Sequence, residues 1–323
     1  MITTVDYHTA GEPFRIVTGG APEIPGASVL DRRVAAATGA ADRVRALLCN
    51  EPRGHADMYG CFLVPPDDEG ADLGVLFWHK DGYSTACGHG TIALGAWAIE
   101  SGRVAAPRDG EVDVTIDVPS GRVVARVRCR AGAVEGVAFR NVPSFVVARG
   151  VPLADIGVEV DIAYGGALYA FIPAGTLGLH VDPADLPELI RIGRGIKAAL
   201  DGHELARHPT DERLSGIYGT VVHEEVGPLH HRNVAVFADG EVDRSPTGSA
   251  TSARTALLLD DDRLAAGQTW RNDSIIGTTF HARAIGTTGE GVLTEVEGMA
   301  YRTGEHRFVL DDRDPLGTGF VLR

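Results

Sequence analysis

Two seven-residue stretches about half a chain apart, Cys87-Gly88-His89-Gly90-Thr91-Ile92-Ala93 and Thr247-Gly248-Ser249-Ala250-Thr251-Ser252-Ala253, carry glycine, threonine and alanine at the same offsets. Each leads into an apolar helical pattern. The first continues through Leu94, Ala96, Trp97, Ala98 and Ile99 to Gly102, the second through Ala256, Leu257, Leu258 and Leu259 to the acidic stop at Asp260–Asp262. A helix that is apolar on most faces has no side to give to water and must be buried. Three matches among small residues are weak evidence of duplication by themselves; a turn followed by a buried helix in each half strengthens it.

At 323 residues the chain is long for one core and comfortable for two lobes. Short β-rich runs punctuated by turns dominate the rest: Ile2 to Tyr7, Arg15 to Val17, Val75 to His79, Val112 to Val118, Arg122 to Val127, Gly136 to Arg140 and Ser144 to Ala148. Helical spacing also marks Val34 to Leu48 and Pro187 to Leu200. The expected class is therefore α/β (α+β).

With 44 acidic and 30 basic residues the net charge is −14, which disfavours nucleic acid and anionic membranes as partners and favours a small molecule. Lys80 and Lys197 are the only lysines and neither position suits a pyridoxal Schiff base. No N-terminal targeting pattern or long apolar run is present, so a cytoplasmic location is expected. Cys49, Cys61, Cys87 and Cys129 lack zinc-site spacing and read as reduced thiols; no metal is expected.

A thiol just before a helix N-terminus meets unpaired amides and the positive end of the helix dipole, which favour thiolate. Cys87 is so placed. A lone cysteine is more often a small buried hydrophobe, but the Cys87-Gly88-His89-Gly90 context argues for reactivity. The amides of Gly88, His89 and Gly90 can hold a carboxylate, as can a second nest at Gly248, Ser249 and Ala250. Both together would stabilise the charge that develops when a base removes an α-proton. His89 reads equally as a general base and as a capping or core histidine. Asp243 reads equally as an acceptor for a substrate ammonium and as a turn aspartate.

These residues resemble the proline racemase family over essentially the whole length. The marks are His8-Thr9-Ala10-Gly11-Glu12-Pro13, Glu51-Pro52-Arg53-Gly54-His55 with Met58-Tyr59-Gly60, Cys87-Gly88-His89-Gly90-Thr91-Ile92, Val142-Pro143-Ser144-Phe145, Ala163-Tyr164-Gly165-Gly166, and Phe237-Ala238-Asp239-Gly240 running into Asp243-Arg244-Ser245-Pro246-Thr247-Gly248. The resemblance implies two pseudo-symmetric lobes of the diaminopimelate epimerase-like fold, each a curved sheet around a central helix. The first would span 1–140 with about 310–323 and carry Cys87; the second would span 141–309 and carry Thr247. It also implies an enzyme without metal, pyridoxal or other cofactor, acting on an imino acid from opposite faces with Cys87 and Thr247. A homodimer is compatible with it.

Racemases and epimerases of the family have cysteine at both positions. A threonine hydroxyl is far too weak an acid to stand in for a thiolate, and the Cys/Thr pair resembles the branch that dehydrates trans-3-hydroxy-L-proline. The resemblance assigns assistance of the thiol to His89, ring-nitrogen binding to Asp243 and carboxylate binding to Gly88, Gly248 and Ser249. Three alternatives remain at this point. They are a 4-hydroxyproline 2-epimerase or proline racemase with water held by Thr247, a cysteine hydrolase pairing Cys87 with His55 or His89, and a non-catalytic amino-acid-binding protein.

Overall fold

A computed structural model describes residues 1–322. The chain divides into two compact units. One holds residues 1–85, 89–137 and 299 onward, the other residues 86–88 and 138–298.

The strands of the first unit are β1 (Ile2–Thr9), β2 (Glu12–Gly19), β3 (Gly60–Val64), β4 (Leu73–His79), the short β5 (Gly82–Tyr83), β6 (Gly110–Val118), β7 (Gly121–Arg130) and the chain-terminal β18 (Ala300–Phe308). β8 (Ala133–Arg140) straddles the boundary. The second unit has β9 (Phe145–Leu153), β10 (Val158–Tyr164), β11 (Leu168–Pro173), β12 (Ile217–Gly227), β13 (His230–Phe237), the short β14 (Glu241–Asp243), β15 (Trp270–Ser274), β16 (Thr279–Thr288) and β17 (Gly291–Gly298).

Neighbouring strands repeat the same pattern of directions in both units. In the first, β18–β1 and β1–β2 are antiparallel, β2–β3 parallel, β3–β4 and β4–β5 antiparallel, β4–β6 parallel and β6–β7 antiparallel. In the second, β9–β10 and β10–β11 are antiparallel, β11–β12 parallel, β12–β13 and β13–β14 antiparallel, β13–β15 parallel and β15–β16 antiparallel. A parallel pair needs a long crossover, usually helical. Here α1 (Val29–Ala36) and α2 (Ala40–Cys49) serve β2–β3, while α4 (Leu186–Ala199) serves β11–β12. The remaining crossovers hold α3 (Gly88–Glu100) and α5 (Gly248–Asp260). The sequence hint of duplication is therefore a duplication of topology.

Both inner helices are buried, α3 from Gly88 to Ala98 and α5 from Gly248 to Leu258. Small residues let the sheet come close. A Cβ on Gly95 would lie 2.7 Å from the Ala125 Cβ, and one on Gly165 would lie 2.3 Å from the Ser249 carbonyl oxygen. Ala250, Ala253 and Leu257 of α5 share a core with Tyr169, Phe171, Val221 and Ala235. The first unit's core gathers Val17, Val29, Leu48, Met58, Phe62 and Trp78.

One expectation changes. The pattern over Val34 to Leu48 is two helices, because Ser28 and Asp31 form a capping box that starts α1 early and Gly39, extended at φ −102°, caps a fresh start at Ala40. β18 pairs with β1 from Ile2↔Phe308 to Thr9↔Ala300. Beyond it, Phe320 exchanges both backbone hydrogen bonds with Glu51, 3.1 and 3.0 Å, as an isolated antiparallel bridge.

Candidate active site

The β1–β2 hairpin turns on Ala10 and Gly11, φ +51° and +96°, the pair of positive values a two-residue turn matching strand twist requires. It presents Thr9, whose hydroxyl donates to the His89 carbonyl at 2.9 Å. The His89 ring is edge-on to Tyr59 at 4.9 Å and to Phe14 at 5.8 Å, and the residue is 4% exposed. Tyr59 in turn hydrogen-bonds Ser84. The first turn of α3 is thus held by the His8–Pro13 and Met58–Gly60 motifs.

In the second unit the segment before α5 is fixed residue by residue. The Ser245 amide donates to Asp243 Oδ1 at 2.7 Å and the Thr247 amide to Ser245 Oγ at 3.0 Å. The Pro246 carbonyl accepts from Asn233 Nδ2, Thr251 Oγ1 and Asn272 Nδ2 at 3.1, 2.9 and 3.3 Å. Thr247 itself sits at φ +59°, ψ +93°, and its buried Oγ1 has no hydrogen-bond partner. Its side chain caps none of the leading amides of α5, which have no acceptor within the helix. Ser249 Oγ lies 2.7 Å from the Tyr169 hydroxyl.

Gly88, counted with this unit, lies directly against Gly248: a Cβ on it would fall 2.5 Å from the Gly248 Cα and 2.8 Å from the Ser249 nitrogen. Only glycine fits there. Cys87 and Thr247 each precede one of these touching glycines and are 4% and 5% exposed. Tyr169 senses the same neighbourhood. Its phenol is pushed far up, first by burial, against the hydrogen bond to Ser249 and with a smaller contribution from the acidic groups of Asp243 and Cys87 nearby.

Six of the residues singled out in the sequence, Cys87, Gly88, Asp243, Thr247, Gly248 and Ser249, therefore belong to the second unit, while His89 is counted with the first. His55 is exposed, its Nδ1 accepting from the Asp57 amide at 3.2 Å. All four cysteines are free, and burial pushes the Cys61 thiol far up. Lys80 is paired with Asp81 and Lys197 donates to the Ala238 carbonyl at 2.7 Å. Sequence reasoning missed Tyr169, Asn233 and Asn272; the signal was available for the asparagines, which are disfavoured inside strands unless their side chains have a task.

Two copies of a sheet packed around a buried helix, one helix led by a cysteine and the other by a threonine, place the molecule among enzymes built on the epimerase fold. A solved hydroxyproline epimerase from Agrobacterium vitis, with bound trans-4-hydroxy-L-proline, superposes with a TM-score of 0.93 at 30% identity over 99% of this chain and 95% of that one. Residues 4–321 match the family model described as proline racemase, and the chain belongs to that family. Among curated relatives, a trans-3-hydroxy-L-proline dehydratase from Bacillus thuringiensis subsp. konkukian is 43% identical over 99% of this chain and 98% of its own length. A 3-hydroxyproline 2-epimerase from Burkholderia multivorans is 44% identical over 100% and 98%. No helix among the described residues is long and apolar enough to cross a membrane.

Proposed function

We propose that this chain is a hydro-lyase that converts trans-3-hydroxy-L-proline to Δ1-pyrroline-2-carboxylate and water without a cofactor. The observation that carries the reading is threonine at position 247, where a second thiol would be needed for two-base inversion, in a chain whose full-length relatives include a dehydratase of that name.

The substrate carboxylate lies on the amides of Gly88, Gly248 and Ser249, and Asp243 accepts from the ring ammonium. The C2 hydrogen and the C3 hydroxyl of this substrate share one ring face, opposite the carboxylate, so one base serves both. Cys87 thiolate takes the C2 proton while fixed amide dipoles hold the enolate-like charge. The C2 electron pair forms the C2–C3 double bond and hydroxide leaves as water, protonated by the Cys87 thiol or by His89. The enamine then tautomerises to the cyclic imine. Thr247 orients substrate or water through its unpartnered hydroxyl.

A second reading, inversion at C2 with Thr247 holding a water, is favoured by the relative named as an epimerase. Incubation with trans-3-hydroxy-L-proline, using o-aminobenzaldehyde to detect the pyrroline, alongside chiral chromatography of separate incubations with 3-hydroxyproline, 4-hydroxyproline and proline, separates the two. Pyrroline supports dehydration; inverted 3-hydroxyproline, 4-hydroxyproline or proline without pyrroline replaces it by epimerisation.

A further inference from the structure

Arg254, the seventh residue of α5, is 5% exposed, and its Nε is shut away without a hydrogen-bond partner. Among the described residues its guanidinium takes part in no hydrogen bond or ion pair. Facing it are two histidines in the same condition: His223 on β12 and His231 on β13 are 6% and 3% exposed, and Nδ1 of each is buried and unpartnered. The register sets His223 opposite Asn233 and Glu225 opposite His231, so all four share one face of the sheet. Asn233 on that face reaches the Pro246 carbonyl at the head of α5, which orients the face toward the helix.

A buried cation normally has an anion beside it. Every carboxylate near this one is already engaged. Glu225 is bridged by Arg263 at 2.6 Å, Asp161 and Asp261 are held by Arg149 at 2.9 and 2.8 Å, and the neighbouring His230 is bound to Asp273 at 2.7 Å. The consequences are visible in all three groups. Burial, then the Arg263 charge, pulls Arg254 down to about 10; burial, then the Arg254 charge, takes His231 down to about 4 and His223 well below its ordinary value. A buried guanidinium within electrostatic reach of two buried imidazoles has the donors to complement a tetrahedral oxyanion, two parallel N–H bonds from the guanidinium and one from each ring.

We propose that Arg254, His223 and His231 form a binding site for a small oxyanion of the phosphate type, separate from the residues around Cys87 and Thr247. The site lies six residues beyond Gly248, roughly 9 Å along the helix axis at 1.5 Å per residue. The half-exposed Arg263–Glu225 pair marks its solvent side. It does not depend on which reaction the family residues perform. Binding a dianion favours the protonated imidazoles, so protons are taken up and affinity rises as pH falls.

Isothermal titration of the intact protein with inorganic phosphate against chloride at matched ionic strength tests it. Saturable binding is expected; expressed per phosphate dianion, which gives way to the monoanion near neutral pH, it tightens between about pH 8 and pH 6 by up to about tenfold per pH unit for each proton the imidazoles take up. In Arg254→Met the affinity is expected to drop about tenfold or more, the loss of a charge-assisted bidentate contact. Phosphate binding that does not saturate, or that persists unchanged in Arg254→Met, overturns the proposal. Should that variant fail to fold, histidine ring resonances of the wild-type protein decide: phosphate must raise the titration midpoints of two buried histidines, and unmoved midpoints are equally fatal.

Discussion

Thr247 occupies a left-handed backbone position that a β-branched residue avoids, at a cost of about 1–3 kcal/mol. Three donors on the preceding carbonyl keep it there. Replacing the hydroxyl by a thiol supplies the group that two-base chemistry needs, so Thr247→Cys is expected to add C2 inversion or solvent-deuterium exchange, read by chiral chromatography or NMR. Cys87→Ser is expected to abolish dehydration, while Thr247→Ala keeps part of it; the reverse pattern removes the assignment. Tyr169→Phe strands the buried Ser249 hydroxyl, which costs about 1–3 kcal/mol and lowers kcat/KM without removing the thiol. Acid stability follows from His223 and His231. Their folded values lie below the ordinary one, so the unfolded chain binds the protons first. Stability is full above about pH 6.5, falls as pH drops through that value, and for His231 levels off near its folded value of about 4. Urea midpoints at neutral and mildly acidic pH in phosphate-free buffer measure this. Cys87, Asp243 and Thr247 were legible because they sit in contiguous motifs; Tyr169, 80 residues from Ser249, was not, because only folding makes them neighbours.

The inner helices were the most legible elements, since apolar residues on all sides leave a helix no exposed alternative. Strand alternation is clear as far as Ala148 but fades beyond it for a physical reason: β11 is buried from Leu168 through Ile172, so both of its faces are apolar and no period of two survives. The break between α1 and α2 escaped the periodicity because apolar spacing continues across Thr38 and Gly39 while the backbone does not. At this scale the glycine contact between the starts of α3 and α5 is the sharpest constraint. Gly88→Ala sets a methyl 2.5 Å from a backbone atom that cannot move aside. Loss of dehydratase activity together with a lower thermal midpoint is expected, whereas Gly195→Ala on α4, with open space around it, is expected to leave both within about 0.5 kcal/mol of wild type.

Across the whole molecule, one topology is used twice, yet the two copies relate differently to the order of synthesis. Apart from Ala86–Gly88, the second unit is a single stretch, 138–298, whereas the first takes its β1 partner from residues 300–308. Domains usually form N-terminal first as the chain emerges. Here the edge of β1 waits, with its backbone groups unpaired, until β18 has left the ribosome. The later-made unit has all its strands in hand sooner. Stalled nascent chains ending near residue 298 are expected to protect the 138–298 segment from protease before residues 1–137, and release of the full chain to protect both. For this molecule the strand that covers the free side of β1 is translated after the whole 138–298 stretch, so a ribosome that stops before it leaves an open edge at β1 and not at the most recently made strands.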